Sequence, residues 1–465
     1  MKDYLDDLSE FACLTPWDAL PAEVKERTKW IVADSIAVIA VGMQTSEMKK
    51  LVRAHTNGQS GANSWIIGTG LKTSVADAGM LNGCAGTWVE LDEGSTLAKG
   101  HPGIQIVPIA LAYAQEYAVC GTDLIRAIAI GYEVSARINY AAQIRPIVHP
   151  HGTFGVIGAA VALGVLKRFD ITAMRRLINV AATMGLATSY ETLNDGATVR
   201  NIYTGHSAYM GLMAVRLVEC GFTGEHDGVA SIYGRVLAEQ FEPKKATADL
   251  GSRWLLAQNY FKLHPTARSL HSAIDALEDA VKNVPKQRLQ FDLIAAITVR
   301  TYRLAAAKNN QFVVNSFGAK FSIPFALASI LFHGHSSLDC FDEVAVANPD
   351  IQRLSRLVTV SEDLAYSHIY PTEQRCDVEI HLIDGTRLSG YCRVMKGEPE
   401  FPNTIEQIRE KFFALGCRVW SPTTLKQLWG GCLTLEQLDN AADLFGASEQ
   451  LCDEMTGLRS TKNIH

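Results

Sequence analysis

The sequence lacks the short signatures of the commonest chemistries. No two cysteines stand in a CxxC spacing, no HExxH occurs, and there is no Walker phosphate loop. Gly68-Thr69-Gly70 has no third glycine to complete a dinucleotide turn. Gly205-His206-Ser207 runs on into Ala208 and Tyr209, so it is not a nucleophile elbow. His333-Gly334-His335 offers two histidines and no third ligand, and reads as a polar loop after a helix. No basic run appears and the formal net charge is -6, which argues against a nucleic-acid partner. The uncharged stretch from Phe154 to Leu166 is too short to span a bilayer and reads as a buried helix, so no membrane association is expected. The opening stretch, Met1 to Phe11, is acidic and has no apolar core, unlike a signal peptide. The ten cysteines are scattered, which favours reduced thiols and a cytoplasmic location over a disulfide framework.

What is present is a chain of 465 residues, 48% hydrophobic and 20% charged, long enough for two globular domains. The first half reads as helices: Pro21 to Val41, with Gly42 as a stop, then Val75 to Val89, Ile104 to Ala118, Thr122 to Tyr140, Thr153 to Phe169 and Thr172 to Leu186. Asp170 is placed to cap the last of these. Small residues such as those from Gly158 to Gly164 permit close helix approach, so the helices are expected to form a tight bundle. Near residue 262 the pattern changes. Ser269 to Val281 is helical, and Leu293 to Thr301 is strand-like. Val378, Ile380 and Leu382 alternate with polar residues up to Asp384-Gly385, after which Leu388, Gly390, Cys392 and Val394 continue the alternation. This is a hairpin signal. Helices are expected again at Ile405 to Ala414 and Leu435 to Phe445, the second with Thr434 and Gln437 as a capping box.

Three segments combine histidine with charge. Glu90-Leu91-Asp92-Glu93-Gly94 ends a helix and leads to Gly100-His101-Pro102, and carboxylates beside a histidine fix its tautomer and suit it to proton transfer. Arg145-Pro146-Ile147-Val148-His149-Pro150-His151-Gly152-Thr153 enters an apolar helix whose N-terminus attracts anions. Arg200-Asn201-Ile202-Tyr203-Thr204-Gly205-His206 enters another, and an arginine binds a carboxylate through two parallel hydrogen bonds. The plainer readings are a solvated helix end with a loop histidine, a proline-bent loop and a surface helix start. For the second segment the two readings weigh evenly. For the other two the local sequence favours the plainer one. His264 to His271, at the change of character, reads either as a linker or as part of a cleft between domains.

The order of several markers resembles the MmgE/PrpD family, whose activities include 2-methylcitrate dehydration, cis-aconitate decarboxylation and iminodisuccinate epimerisation. The markers are Ala33-Asp34-Ser35-Ile36, Leu81-Asn82-Gly83, His101-Pro102, Gly131-Tyr132-Glu133 with Arg137, Ala319-Lys320-Phe321-Ser322-Ile323-Pro324, Asp384-Gly385 and Lys411-Phe412. The resemblance implies a mainly α fold: an all-helical bundle from residues 1–262 and 398–465, with an α/β lid of antiparallel sheet from 263–397. It further implies a homodimer, no metal, no organic cofactor and a small di- or tricarboxylate substrate bound between bundle and lid. His101, His149 and His271 match family histidines. Where the family has DFDD followed by Thr or Ser, this chain has Glu90-Leu91-Asp92-Glu93 and Gly94. Where the family has Lys-Pro-x-His, it has Arg200-Asn201-Ile202-Tyr203. The expected catalytic set is His101, His149, His271, Glu90, Asp92 and Tyr203, with Arg200, Gly94 and His151 binding substrate. The expected activity is a dehydratase or decarboxylase. An epimerase of a substituted succinate and a carboxylate-binding pseudoenzyme are the alternatives.

Overall fold

The computed structural model describes residues 2–56, 62–284 and 291–446. Helices α1 (Tyr4–Leu14), α2 (Ala22–Gly42) and α3 (Ser46–Thr56) open the chain. A short antiparallel pair follows, β1 (Ser64–Ile66) with β2 (Leu71–Thr73). Then come α4 (Val75–Gly86), α5 (Pro102–Tyr117) and α6 (Gly121–Ala141). Strand β3 (Ala142–Ile144), helices α7 (Gly155–Leu166), α8 (Ile171–Ala182) and α9 (Ile202–Glu219), and strand β4 (Ala238–Phe241) complete this part. Asp170 caps α8 through the Ala173 N–H. β3 pairs antiparallel with β4, so the helical part carries two small strand pairs and is not all-helical as expected. Among the described residues no single helix is long and apolar enough to cross a membrane. The uncharged α7 is buried from Gly155 to Val165, because neighbouring helices cover every face.

Beyond it lie α10 (His271–Val281), β5 (Ile294–Thr301), α11 (Ile323–His333), α12 (Pro349–Arg356), β6 (Val358–Glu362), β7 (Cys376–Leu382) and β8 (Arg387–Cys392). The strands form one sheet in the order β6-β5-β7-β8. The β7–β8 hairpin turns at Asp384-Gly385, with Gly385 at φ 88, a left-handed value natural to glycine. The sheet is mixed, not purely antiparallel: β5 and β6 run parallel, joined by a crossover that contains α11 and α12. His333 is the last residue of α11 and Gly334 its left-handed cap, consistent with a turn after a helix. The chain closes with α13 (Ile405–Gly416) and α14 (Pro422–Leu433). The helix expected over Leu435 to Phe445 is two short 3-10 turns, Leu435–Gln437 and Ala441–Leu444, and Thr434 makes no side-chain cap. Asp439 and Asn440 break the run, and the Asn440 side chain caps the second turn.

Two large clusters of buried apolar side chains result. One draws on Leu5 to Phe261 and Ile408 to Phe445, the other on Leu270 to Met395. In the first, α4 and α9 cross at Gly83 and Gly205, where Thr204 Oγ1 donates to the Gly83 carbonyl at 2.7 Å. A Cβ on Gly205 would lie 2.4 Å from the Met80 carbonyl oxygen, so the crossing tolerates nothing larger than glycine. This contact brings the end of α4 against the start of α9, and with it residue 90 against residue 200. The nine cysteines among the described residues are all free thiols.

Candidate active site

The acidic loop after α4 is pinned from several sides. Asp34 in the middle of α2 accepts the Glu93 N–H at 3.1 Å and forms a buried ion pair with Lys411 of α13 at 2.6 Å. Lys411 also donates to the Leu91 carbonyl. The Glu93 carboxyl accepts from Tyr132 Oη at 2.6 Å, from Asn259 at 3.3 Å and from the Gly103 N–H in the first turn of α5 at 3.0 Å. Burial pushes this carboxyl up to about 8, against the pull of those three donors. Glu133 and Arg137 form a second buried pair, and Glu133 also accepts the N–H groups of Leu255 and Leu256. Several of the sequence markers are therefore the scaffold of this loop.

On that scaffold sit the charged groups. Glu90 takes the left-handed conformation, φ 55, unusual for a residue with a Cβ. Its two carboxylate oxygens are held by Arg200 Nη1 at 2.5 Å and Lys262 Nζ at 3.1 Å. Lys262 also lies 3.6 Å from Asp92 Oδ1. Burial raises the cost of ionising Asp92, yet its interactions with His101 and Lys262 outweigh it and hold the carboxyl well below the usual range. Arg200 is buried with 2% exposure and Lys262 with none, so these ion pairs form in a dry place.

Two of the imidazoles, His101 and His149, have contacts that fix their tautomers. His101 Nδ1 is 2.8 Å from the Glu93 carbonyl, which only accepts, so Nδ1 bears a hydrogen and, in the neutral ring, Nε2 has the lone pair. Asp92 Oδ2 stands 3.1 Å from the same Nδ1. His149 is the converse: its Nδ1 accepts the His151 backbone N–H at 3.1 Å, so in the neutral ring Nε2 bears the hydrogen. His151 lies between them, its ring 4.8 Å from that of His101 and 4.6 Å from that of His149. Neither ring nitrogen of His151 has a hydrogen-bond partner among the described residues. Burial, reinforced by Arg200, lowers His149 and His151 well below the ordinary histidine value, so both are neutral at pH 7.

His271 opens α10. Its Nδ1 accepts from Arg268 Nη1 at 3.1 Å, and burial together with Arg268 lowers its basicity sharply. Arg268 lies over the Tyr260 ring at 4.1 Å, and that ring is 6.2 Å from His101. His271 thus joins the other histidines through Arg268 and Tyr260 rather than by direct contact.

Gly94 makes no hydrogen bond to spare: its N–H is committed to the Tyr260 carbonyl at 3.0 Å. A Cβ there would meet the Tyr260 hydroxyl at 2.5 Å. Gly94 therefore makes room for Tyr260 and has no donor for a carboxylate. Tyr203 is half-buried, 6.1 Å from the His149 ring, with its hydroxyl 3.0 Å from Thr192 Oγ1. Arg145, in the segment that enters α7, donates to the carbonyls of Arg235 and Val236.

Lys262, Tyr260, Tyr190 and Arg268 belong to this cluster and escaped sequence reasoning. Tyr190 packs 5.0 Å from His149. Its position two residues before the His264 to His271 segment was the one available signal for Lys262. Asp92, His101 and His151 place one potential metal-ligand atom each within 4.8 Å of one another, but the Lys262 ammonium beside Asp92 disfavours a further cation there. At His264, Asp275 and Glu278 the Lys396 ammonium already takes that place, 3.4 Å from Asp275 and 2.5 Å from Glu278. In all, buried cations, two ion-paired carboxylates and three close imidazoles form a site suited to holding an anion and moving a proton.

Comparison with known proteins gives the same assignment from both halves. Residues 6–245 match the MmgE/PrpD N-terminal domain and residues 264–428 the MmgE/PrpD C-terminal domain. The chain is 24% identical over 456 residues to cis-aconitate decarboxylase of Aspergillus terreus, covering 92% of each. It is 23% identical over 444 residues to cis-aconitate decarboxylase of Homo sapiens, covering 91% of this chain and 90% of that relative. With both family domains present in order along its length, the chain belongs to the MmgE/PrpD family.

Proposed function

We propose that the chain is a lyase, a decarboxylase or dehydratase of a small di- or tricarboxylic acid, working by histidine acid-base chemistry between the bundle and the α/β unit. One observation carries the reading: His101 and His149 present opposite tautomers within one buried, cationic cluster. Relatives that act on cis-aconitate, by their names, support the substrate class.

Loss of CO2, and loss of a proton ahead of water, both develop enolate-like charge beside a carboxylate. Arg200 and Lys262 hold the substrate's carboxylates, with Glu90 fixing the two cations in place. His101 Nε2, the free lone pair, is the base. Asp92 stabilises the imidazolium that forms, as a carboxylate behind a histidine does in other proton-transfer sites. His149 Nε2–H is the donor aimed at the developing charge. A neutral imidazole suits that role, because its low basicity keeps the proton on the ring until charge appears. The buried His271 and His151, with the half-buried Tyr203, complete the walls, and burial of the charged groups excludes the water that would weaken each interaction.

The test is a thermal-shift screen against citrate, cis-aconitate, 2-methylcitrate and aspartate-derived acids, followed by proton NMR of each hit. Loss of CO2 or water supports the proposal. Exchange of the α-proton in deuterated water, with neither lost, replaces it by an epimerase. Binding with no change of any substrate makes the chain a carboxylate-binding pseudoenzyme.

A further inference from the structure

The α/β unit contributes a buried ammonium that the mechanism above does not use. Lys320 follows the short helix Ser316–Ala319 and is 5% exposed. Its Nζ donates to the Ser316 carbonyl and hydroxyl, both at 3.1 Å, and no carboxylate lies within ion-pair distance of it among the described residues. Burying an ammonium without a counter-ion is costly, and a protein retains such a charge where an anion will meet it.

The surroundings say which anion. The Lys320 carbonyl accepts the Ala267 N–H at 2.9 Å, tying it to the loop that carries Arg268 and His271. Phe317 and Phe321, on either side of it, pack on Leu193 and against Tyr190, the ring beside His149. Among the acids that act on its charge Glu90 has the largest effect, and Glu90 is already engaged by Arg200 and Lys262. Burial lowers the lysine to about 8, a charge that a bound anion would restore. The ammonium therefore sits in the α/β unit beside the loop of Arg268 and His271 and next to the aromatic cluster that reaches Tyr190.

We propose that Lys320 is a specificity-determining residue that receives one carboxylate of the substrate from the α/β side and sets a preference for three carboxylates over two. This rests on the polycarboxylate reading above and names a part of it. With Arg200 and Lys262 holding carboxylates on the helical side, an acid with only two of them can leave Lys320 without a partner. A tricarboxylate satisfies all three cations.

The test compares tricarballylate with glutarate, which shares its carbon skeleton but lacks the central carboxylate, by isothermal titration calorimetry on the full chain. The wild type should bind tricarballylate more tightly. Lys320→Met should reduce that preference about 10-fold or more, the worth of one charge-assisted hydrogen bond, while changing glutarate affinity little. Lys320→Arg should retain the preference. Lys320→Gln, which keeps a polar head beside Ser316, is the second variant should Lys320→Met fail to fold by circular dichroism. An unchanged preference in the uncharged variant overturns the assignment of Lys320 and leaves the polycarboxylate reading intact. A wild type that binds neither these acids nor cis-aconitate overturns both. Loss of both acids together in a folded variant makes Lys320 a structural residue and overturns the proposal.

Discussion

His101 and His149 should respond unequally to glutamine. Glutamine offers an amide N–H close to where an imidazole Nε2–H stands, but it offers no base. If His149 acts through Nε2–H, His149→Ala removes one preorganised donor, a loss of about 10²–10³ in kcat. His149→Gln should then recover roughly tenfold of it by supplying a replacement donor. If His101 acts through its Nε2 lone pair, His101→Gln should be as inactive as His101→Ala, each down by about 10²–10⁴. Asp92→Asn extends the argument. Asp92 Oδ2 is 3.1 Å from His101 Nδ1. Two unit charges at that distance interact by about 5 kcal/mol at an effective dielectric near 20, an upper bound on what the imidazolium loses. The Glu93 carbonyl still holds the ring, so the variant should keep its geometry while kcat falls by about 10²-fold or more. The assay is proton NMR of the turnover of the acid identified by the screen, with circular dichroism to establish the fold. A dead His149→Gln beside an active His101→Gln would refute the tautomer argument outright, as would an Asp92→Asn enzyme within threefold of wild type.

Other outcomes follow from the same geometry. Lys411→Met strands the Asp34 carboxylate in the core and should cost about 3–5 kcal/mol in urea unfolding, with the double variant Asp34→Leu, Lys411→Met recovering part of it. Gly205→Ala drives a methyl into the Met80 carbonyl and should destabilise by about 1–3 kcal/mol, lowering activity as the Glu90–Arg200 pair is displaced. Glu93 has a folded-state value near 8, raised by burial above its ordinary 4.5. Between those values the folded chain holds a proton that the unfolded chain has lost, so this group's contribution to stability falls as pH rises. The melting temperature of the wild type relative to Glu93→Gln should therefore decline from pH 5 to pH 8, and a flat difference would contradict the raised value.

The helices of the first half and the hairpin at Asp384-Gly385 were legible because their signals are local: apolar periodicity, small-residue runs and a two-residue turn. The parallel pairing of β5 with β6 was not, since no local pattern in Val358 to Glu362 distinguishes a parallel neighbour from an antiparallel one. Leu435 to Phe445 shows the opposite failure. Its apolar spacing is helical, but Asp439 and Asn440 prefer caps and turns and split it in two. His101, Asp92, His149 and Arg200, which the fold gathers into one buried cluster, could be singled out as candidates because each lies in a segment that mixes charge with histidine. Tyr190, Tyr260 and Lys262 were not singled out because their place in the cluster comes from neighbours far away in sequence, and Tyr190 and Tyr260 look like ordinary core aromatics. Gly94, expected to meet substrate, also has a spatial reason to be glycine that the sequence did not signal: it admits the Tyr260 ring.

The clasp of Lys411 on Leu91 spans 320 residues of chain. A ribosome must deliver α13 before the acidic loop can settle, so any nascent or truncated fragment ending ahead of α13 carries histidines without their scaffold. Proteolytic trimming from the carboxyl end should accordingly extinguish turnover abruptly once α13 is reached, not by gradual erosion.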